Sequence, residues 1–184
     1  RVWAVGVAVV TALVATSFSF SVAKRADFIY VNPSGIHTLD PARMSWLQDF
    51  RVALNLWEGL TTWDPLTLEP IGGSADFPPA ISDDGLTYVF QIRHDARWSN
   101  GDAATAYDFI RAWRRAMEPG TAADYRFFFT DHVSGAADYV AWRDQFIHAQ
   151  SFPDASRDDA LRAHAAEMDD RFARVGLRAQ GDRT

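Results

Sequence analysis

Residues 91–115, QIRHDARWSNGDAATAYDFIRAWRR, concentrate side chains that can do chemistry. The stretch combines a histidine, aspartates, arginines and two tryptophans around one Asn-Gly pair. Carboxylates and imidazoles can transfer protons during catalysis, and clustered charges can hold a ligand. The alternative is a structural corner, where the same groups bond to backbone amides at a turn and at a helix start.

Two carboxylates at a fixed separation can hydrolyse a glycosidic bond, and Asp40, Glu58, Asp95 and Asp102 are the candidates for such a pair. However, Asp40 precedes a proline at a predicted helix start, and Asp102 follows the Asn-Gly turn. Aspartates at such positions commonly bond to nearby backbone amides. We therefore predict no catalytic residues and keep an exported hydrolase only as an alternative.

The sequence also predicts no metal site and no cofactor. Its five histidines are scattered, and no pair has a metal-ligand spacing. The glycines at 72–73 lack the lysine that a phosphate-binding loop requires, so they indicate a turn. The absence of cysteine excludes disulfides, thiolate zinc sites and thiol catalysis.

The composition indicates an acidic globular protein. Of the 184 residues, 48% are hydrophobic and 23% are charged, with a net charge of -6. No run of five or more basic residues is present, so we predict no nucleic-acid binding. The aromatic share of 14% suits a thick core or an aromatic-lined cleft, and composition does not choose between them.

The first segment, residues 1–23, is apolar from Val2 to Ala23 and is followed by Lys24 and Arg25. A helix of that length would span roughly 33 Å, about the thickness of a bilayer core. The sequence Ser21-Val22-Ala23 also fits a signal-peptide cleavage site. We interpret this segment as a signal peptide or a membrane anchor; a buried core helix is the alternative.

Three further elements would position the polar groups. A helix is predicted from Pro41, with Asp40 as its N-cap, and it ends before Gly59. Its aromatic residues recur at helical spacing, which favours core packing, and they are Trp46, Phe50 and Trp57. A second amphipathic helix is predicted over 158–175, with an inward face formed by Leu161, Ala165, Met168 and Phe172.

The third element is the stretch 87–117. Alternating hydrophobicity predicts a strand over 87–93, followed by a turn at Asn100-Gly101. Thr105 and Asp108 fit a capping box that starts a helix running to Met117. Trp98 and Trp113 are expected to pack the strand and the helix of this stretch against one core.

Several segments, in this order, resemble the extracellular solute-binding proteins of peptide-type ABC importers, the oligopeptide- and dipeptide-binding family. The segment richest in family motifs runs from Thr87 to Tyr125. The others are TLDPARMSW (38–46), LNLWEGLTTWDP (54–65), LEPIGG (68–73), VSGAADY (133–139) and VGLRAQGDRT (175–184).

The resemblance implies an α/β, two-lobed periplasmic-binding-protein-like fold of the class II type, of which this chain is expected to be an N-terminal fragment. Residues 24–50 would begin the large ligand-binding lobe. Residues 51–174 would form the smaller outer lobe, with a variable insertion at 141–174. Residues 175–184 would begin the return to the large lobe.

The resemblance also implies a ligand site and partners. Ser45, Trp46 and Leu47 match positions that contact the peptide backbone in relatives, and Tyr125 matches a ligand-contacting tyrosine. Ser45 departs from the family pattern, because relatives commonly carry an acid there that meets the peptide amino group. The implied partners are a peptide or other small solute, ABC permease subunits and the membrane, with the protein acting as a monomer in the periplasm or on the extracytoplasmic membrane surface.

A second interpretation remains open beside solute binding for import. The same fold could serve as a membrane-anchored interaction or sensor domain, which an uncleaved anchor at residues 1–23 would favour.

Overall fold

The computed structural model describes residue 27, residues 29–148 and residues 154–184, so the predicted leader lies outside the described residues. The chain divides into two compact units, Arg1–Pro33 and Ser34–Thr184. Within the part of the chain that the structure describes, no helix combines the length and the hydrophobicity needed to cross a membrane.

The second unit mixes helices and short strands. In chain order its elements are α1 (Leu47–Leu56), β1 (Thr61–Trp63), β2 (Pro70–Gly72), β3 (Ala80–Ile81), β4 (Tyr88–Val89), α2 (Ala106–Met117), a 3₁₀ turn (Pro119–Thr121), α3 (Phe127–His132), α4 (Ala136–His148) and α5 (Asp154–Phe172). The strands form two antiparallel pairs, in which Thr61 faces Gly72 and Ala80 faces Val89. The mixture of helix and strand predicted from the sequence is confirmed.

The corner between the predicted strand and α2 is a tight turn, as its Asn-Gly pair indicates. Gly101 has a positive φ of 94°, and its amide donates to the carbonyl of Trp98 at 2.8 Å. Asp102 closes the turn, because its carboxylate accepts the Asn100 side-chain amide at 2.7 Å. Trp98 is 44% exposed, so the prediction that it is a core anchor is wrong.

The predicted start of α2 is also confirmed. The Asp108 carboxylate accepts both the backbone N–H and the hydroxyl of Thr105, each at 2.9 Å. It also accepts the indole N–H of Trp98 at 3.4 Å, which accounts for the polar tip of that exposed ring. Burial raises the pKa of Asp108, but its hydrogen bonds to Thr105 outweigh burial, and the pKa is lowered overall.

Helix α2 connects two hydrophobic cores. At its N-terminal end, Ala106 packs with Ala75, Ile92 and Ala96 in one buried cluster. At its C-terminal end, Met117 is fully buried in the second cluster, whose other buried members are Ala136, Tyr139, Val140, Phe172 and Val175. The helix therefore fixes the position of the strand corner relative to α4 and α5.

Residues 182–183 form backbone hydrogen bonds with residues on both sides of the corner. The amide of Ile92 donates to the carbonyl of Arg183, and the amide of Ala106 donates to the carbonyl of Asp182, both at 2.7 Å. The second bond satisfies an amide in the first turn of α2, which has no partner inside the helix.

Helix α1 begins later than the sequence predicts. Asp40 does not cap a helix at Pro41; its carboxylate accepts the Ala42 amide at 3.1 Å, and its carbonyl accepts the Arg43 amide at 3.0 Å. These bonds close a separate turn. The helix starts only at Leu47, after an extended Trp46.

Helix α5 buries a histidine that the hydrophobic pattern did not select. Phe172 is buried as predicted, but Leu161 is 43% exposed. His164 is 8% exposed and lies in a slot formed by two rings of α4, with ring centroids 4.0 Å from Trp142 and 3.5 Å from Phe146. The helix therefore docks on α4 through an imidazole as well as through aliphatic groups.

A polar network closes this slot. Glu118 accepts hydrogen bonds from the Tyr139 hydroxyl and, at 2.7 Å, from Arg143 Nε. Arg143 Nη1 bonds to Nε2 of His164, and because a guanidinium can only donate, Nε2 must be the unprotonated acceptor. Burial, followed by the charge of Arg143, lowers the pKa of His164, while burial raises the pKa of Tyr139 to about 12.

Truncation of the buried Met117 should destabilise the protein more than truncation of the exposed Trp98. Met117→Ala is expected to lower the free energy of unfolding by about 2–5 kcal/mol, because it leaves a cavity in a fully buried site. Trp98→Ala should cost less than about 1 kcal/mol, since its ring is nearly half exposed. Urea denaturation of both variants measures the difference; equal losses would contradict the described burial.

The buried histidine should make stability depend on pH. An unfolded histidine titrates near pH 6.5, and the pKa of His164 is lower in the folded state, so the unfolded state binds more protons as the pH falls below that value. The contribution to stability is therefore complete above about pH 6.5 and is lost as the pH falls towards the folded pKa. His164→Gln should flatten this loss in urea denaturation between about pH 7.5 and about pH 5.5.

The matched control is His94→Gln, because His94 is exposed. It should keep the pH dependence of the parent chain. Both variants retain the charged residues around His164, which are Arg143, Glu118, Glu167 and Arg171. If His164→Gln and the parent lose stability equally on acidification, a group other than His164 causes the loss of stability at low pH.

Candidate functional site

The segment that leads into α1 presents its apolar side chains outwards. Trp46 is 58% exposed and Leu47 is 63% exposed, while Ser45 is half-buried. Among the described residues, no hydrogen bond engages the backbone N–H or C=O of Ser45. Ser45 therefore keeps its backbone hydrogen-bonding groups available beside two exposed apolar side chains.

Polar residues, rather than apolar ones, hold the start of α1 against the protein. Asp49 is fully buried, and its carboxylate accepts the backbone amide of His37 at 2.9 Å. The Gln48 side-chain amide lies 3.1 Å from Nδ1 of His37. The core packing predicted for the aromatics of this helix is therefore wrong for Trp46 and Trp57, which are exposed.

Among the described residues, the exposed indole of Trp46 stacks on one other ring. Its ring stacks on His37, with centroids 5.2 Å apart and planes 16° apart. His37 is in turn tethered to α1 through Gln48 and Asp49. The stack orients the indole without burying it.

Tyr125 follows α2 through the 3₁₀ turn and is 38% exposed. Its ring stacks on Phe128 at 5.7 Å and lies 5.9 Å from Phe127, and both phenylalanines are about half exposed. His132 extends the row, with its ring 6.5 Å from Phe128. The sequence signal for this row was the run Phe127–Phe129, to which the sequence analysis assigned no role.

Phe50 brings the two predicted ligand segments to one surface. It lies one helical turn after Trp46, and its ring centroid is 6.0 Å from that of Tyr125. Phe50 was predicted to pack in the core, but it is only half-buried and connects the exposed rings. We call the set Trp46, Leu47, Phe50, Tyr125, Phe127 and Phe128 the aromatic surface.

A bidentate ion pair also joins the two segments. Arg115 Nη1 and Nη2 donate to Asp40 Oδ1 and Oδ2 at 2.7 and 2.6 Å. The hydrogen bonds from Arg115 lower the pKa of Asp40, and Asp40 raises the pKa of Arg115. Because Asp40 heads the turn that leads to Ser45, the pair fixes this turn to the last turn of α2.

The four carboxylates considered for catalysis have separate partners. Asp40 pairs with Arg115, and Asp95 lies 3.2 Å from Arg93 Nε. Asp102 holds the Asn-Gly turn, and Glu58 accepts the Ser74 hydroxyl at 2.9 Å. In the described residues no group of three or more acids, histidines or cysteines could hold a metal ion.

A concave surface lies between α4 and the end of α5. It is an open groove of about 570 Å³, lined by Gly135, Asp138, Tyr139, Ala141, Trp142, Gln145, Arg171 and Arg174. The Arg171 guanidinium lies over the Trp142 ring at 5.0 Å and pairs with Glu167 at 2.7 Å. The groove shares no residue with the aromatic surface.

Comparison with known proteins adds sequence relatives. Periplasmic oligopeptide-binding protein OppA of Haemophilus influenzae is 38% identical over 124 residues, covering 64% of this chain and 21% of that protein. A dipeptide-binding protein of Lactococcus lactis is 34% identical over 109 residues, covering 59% and 19%. A probable deoxycholate-binding periplasmic protein, YgiS of Escherichia coli, is 34% identical over 121 residues, covering 62% and 21%. The chain thus spans about a fifth of the length of the curated relatives it matches.

Solved structures give the same result. The complex of Haemophilus influenzae OppA with RPPGFSPFR matches with a TM-score of 0.57 and 35% identity, over 61% of this chain and 22% of that one. Listeria monocytogenes OppA bound to peptide matches with a TM-score of 0.55 and 36% identity, over 59% and 21%. A Borrelia burgdorferi oligopeptide-binding protein matches 82% of this chain with a TM-score of 0.63, but at 20% identity it supports the fold alone.

A family model adds the classification. The model described as bacterial extracellular solute-binding proteins, family 5 Middle, matches residues 61–161, which is more than half of the chain. The matched range includes Tyr125 and excludes Ser45–Leu47. The chain belongs to the family 5 bacterial extracellular solute-binding proteins.

Proposed function

We propose that this chain supplies part of an extracytoplasmic solute-binding protein that delivers an oligopeptide or another small solute to an ABC-type importer. The observation that carries the proposal is the aromatic surface, on which residues from two distant segments present exposed rings. An exposed, contiguous apolar surface commonly marks a binding site. Family membership and the relatives named for oligopeptide and dipeptide binding support this assignment.

The proposed architecture has two lobes. Residues 24–50 would begin the large ligand-binding lobe, residues 51–174 would form the outer lobe with an insertion at 141–174, and residues 175–184 would return to the large lobe. A second wall, outside these residues, would then cover the aromatic surface when a ligand is enclosed. This arrangement would place the protein in the periplasm or on the extracytoplasmic membrane surface, with permease subunits as partners and no catalytic step.

Each proposed ligand contact has a distinct chemical role. The N–H and C=O of Ser45, which bond to no described residue, can bond to the main chain of an extended ligand, as an exposed strand edge does. Trp46 and Tyr125 can stack on or pack against ligand side chains, and Leu47 offers an aliphatic contact. Backbone contacts that ignore side-chain identity suit a protein that accepts varied ligands.

The neutral Ser45 bears on the class of ligand, because relatives commonly carry an acidic residue at this position. A neutral hydroxyl cannot neutralise an ammonium group, so the surface favours contacts to rings and to the ligand backbone over recognition of a free amino terminus. Deoxycholate carries no amino group, so the similarity to a protein named for deoxycholate binding is compatible with such a surface. A peptide and a bile acid are therefore the two probes that distinguish the two ligand classes.

A membrane-anchored interaction domain is the second candidate. The β1–β2 hairpin favours it, because Trp63 is 65% exposed, Leu66 is 92% exposed and Leu68 is 71% exposed. Asp64 makes the hairpin tip rigid, since its carboxylate accepts the amides of Leu66 and Thr67 at 2.8 and 2.9 Å. A tip of this kind suits contact with a macromolecule.

The first test maps binding on the chain itself. The nonapeptide RPPGFSPFR or deoxycholate should shift the NMR signals of Trp46, Leu47 and Tyr125, with a Kd of about 0.1 mM, because one open wall buries only part of a ligand. Submicromolar affinity would contradict the need for a second wall. Shifts confined to the α4–α5 groove, or no shift with either probe, would contradict the site.

The second test removes one ring. Tyr125→Ala should weaken binding of the responding probe about fivefold, because an aromatic contact of this kind is worth about 1 kcal/mol. Tyr107→Ala is the matched control, since Tyr107 is an exposed tyrosine on α2. Equal affinities for the two variants in NMR titration would remove Tyr125 from the site.

A further inference from the structure

Two chain segments that carry the proposed ligand contacts meet through one charged pair. Asp40 and Arg115 are 75 residues apart in the sequence, yet their side chains form two parallel hydrogen bonds of 2.7 and 2.6 Å. A two-pronged contact between a guanidinium and a carboxylate fixes orientation as well as distance. A single-point contact through a lysine would fix the distance only.

On one side, the pair controls the approach to Ser45. Asp40 Oδ1 accepts the Ala42 amide as well as Arg115, and the Asp40 amide donates to the Thr38 hydroxyl at 3.0 Å. The carboxylate thus organises its own turn while it is held by the guanidinium. Any displacement of Asp40 would move the start of the segment that ends at Leu47.

On the other side, Arg115 controls the approach to Tyr125. Its backbone carbonyl accepts the Thr121 hydroxyl at 2.6 Å, which ties the 3₁₀ turn to the end of α2. Ala122 follows in the left-handed region, with a φ of 53°, and redirects the chain towards Tyr125. One residue therefore holds the turn before Tyr125 with its backbone and the turn before Ser45 with its side chain.

The exposure of the pair argues for a positional role over a stabilising one. The Arg115 side chain is 52% exposed and the Asp40 side chain is 25% exposed. Exposed ion pairs add little to stability, but good two-pronged geometry still restricts where the two segments can sit. A second link, the ring contact between Phe50 and Tyr125, is apolar and constrains direction less.

We propose that Asp40 and Arg115 are a positioning pair that sets the spacing between the Ser45–Leu47 segment and Tyr125, and hence the width of the aromatic surface. The effect on ligand binding rests on the proposed function; the effect on spacing does not. Breaking the pair should leave the fold intact and widen the range of distances between the two segments.

The spacing can be measured directly because the chain has no cysteine. Spin labels on Ser45→Cys and Asp124→Cys would report the distance between the two segments by pulsed electron paramagnetic resonance. The parent should give one narrow distance distribution. Asp40→Asn should broaden it, and Arg115→Lys, which keeps the charge but loses the two-pronged contact, should broaden it as well. An unchanged distribution in both variants would overturn the proposal.

A matched control breaks a similar pair on the same helix. Arg114 Nη1 donates to Asp169 at 2.7 Å, and Asp169 is exposed, so Asp169→Asn removes an ion pair that does not touch either ligand segment. It should leave the distance distribution narrow. Broadening by Asp169→Asn would show general loosening and would overturn the specific role of the Asp40–Arg115 pair.

Affinity supplies the second readout. With whichever of RPPGFSPFR and deoxycholate binds the unlabelled parent, Asp40→Asn should weaken binding about tenfold while Tm changes by less than about 3 °C. A fall in Tm that accounts for the loss of affinity would assign the pair to stability alone. If neither probe binds the parent, the proposed function fails, and the distance measurement still decides whether the pair sets the spacing.

Discussion

The burial of α2 at both ends is the constraint on which the rest of the described structure depends. Ala106 belongs to the core beneath the strand corner, and Met117 belongs to the core of α4 and α5, so neither core can shift without the other. The last turn of the same helix carries Arg115, whose contacts with Asp40 and Thr121 hold the turns that precede the two proposed ligand segments. A helix clamped by packing at its two ends is a rigid base from which exposed residues can be placed with little freedom.

In helix α1, which contributes to the aromatic surface, polar residues are buried and apolar residues are exposed, the reverse of the usual pattern. In α1 the fully or nearly fully buried residues are Gln48 and Asp49, while the apolar residues at its start face outwards. Hydrogen bonds to His37 replace hydrophobic packing as the tether. This exchange leaves ring faces open at some cost in buried apolar area, as expected where surface serves binding more than stability.

Local chemistry made some elements predictable from the sequence, whereas non-local contacts made others unpredictable. The Asn100-Gly101 turn and the Thr105 cap were correctly predicted because their bonds span only a few residues. The start of α1 was not, because Asp40 is engaged by a partner 75 residues away, which no local pattern reveals. His164 was missed for a similar reason: its slot is made by α4, and hydrophobic periodicity does not count an imidazole as a core residue. The proposed ligand residues came from family resemblance, and periodicity alone had placed Trp46 in the core.

The start of α1 and the burial of His164 both involve an arginine from another element, Arg115 at Asp40 and Arg143 at His164. A guanidinium can hold its partner while half exposed, so it can fix geometry at a surface where aliphatic packing would require full burial. The proposed aromatic surface has this kind of support at one edge, where a half-exposed Arg115 holds Asp40. If this pair sets the spacing as proposed, the shape of the surface is determined by two charged residues far apart in the sequence rather than by the exposed rings themselves.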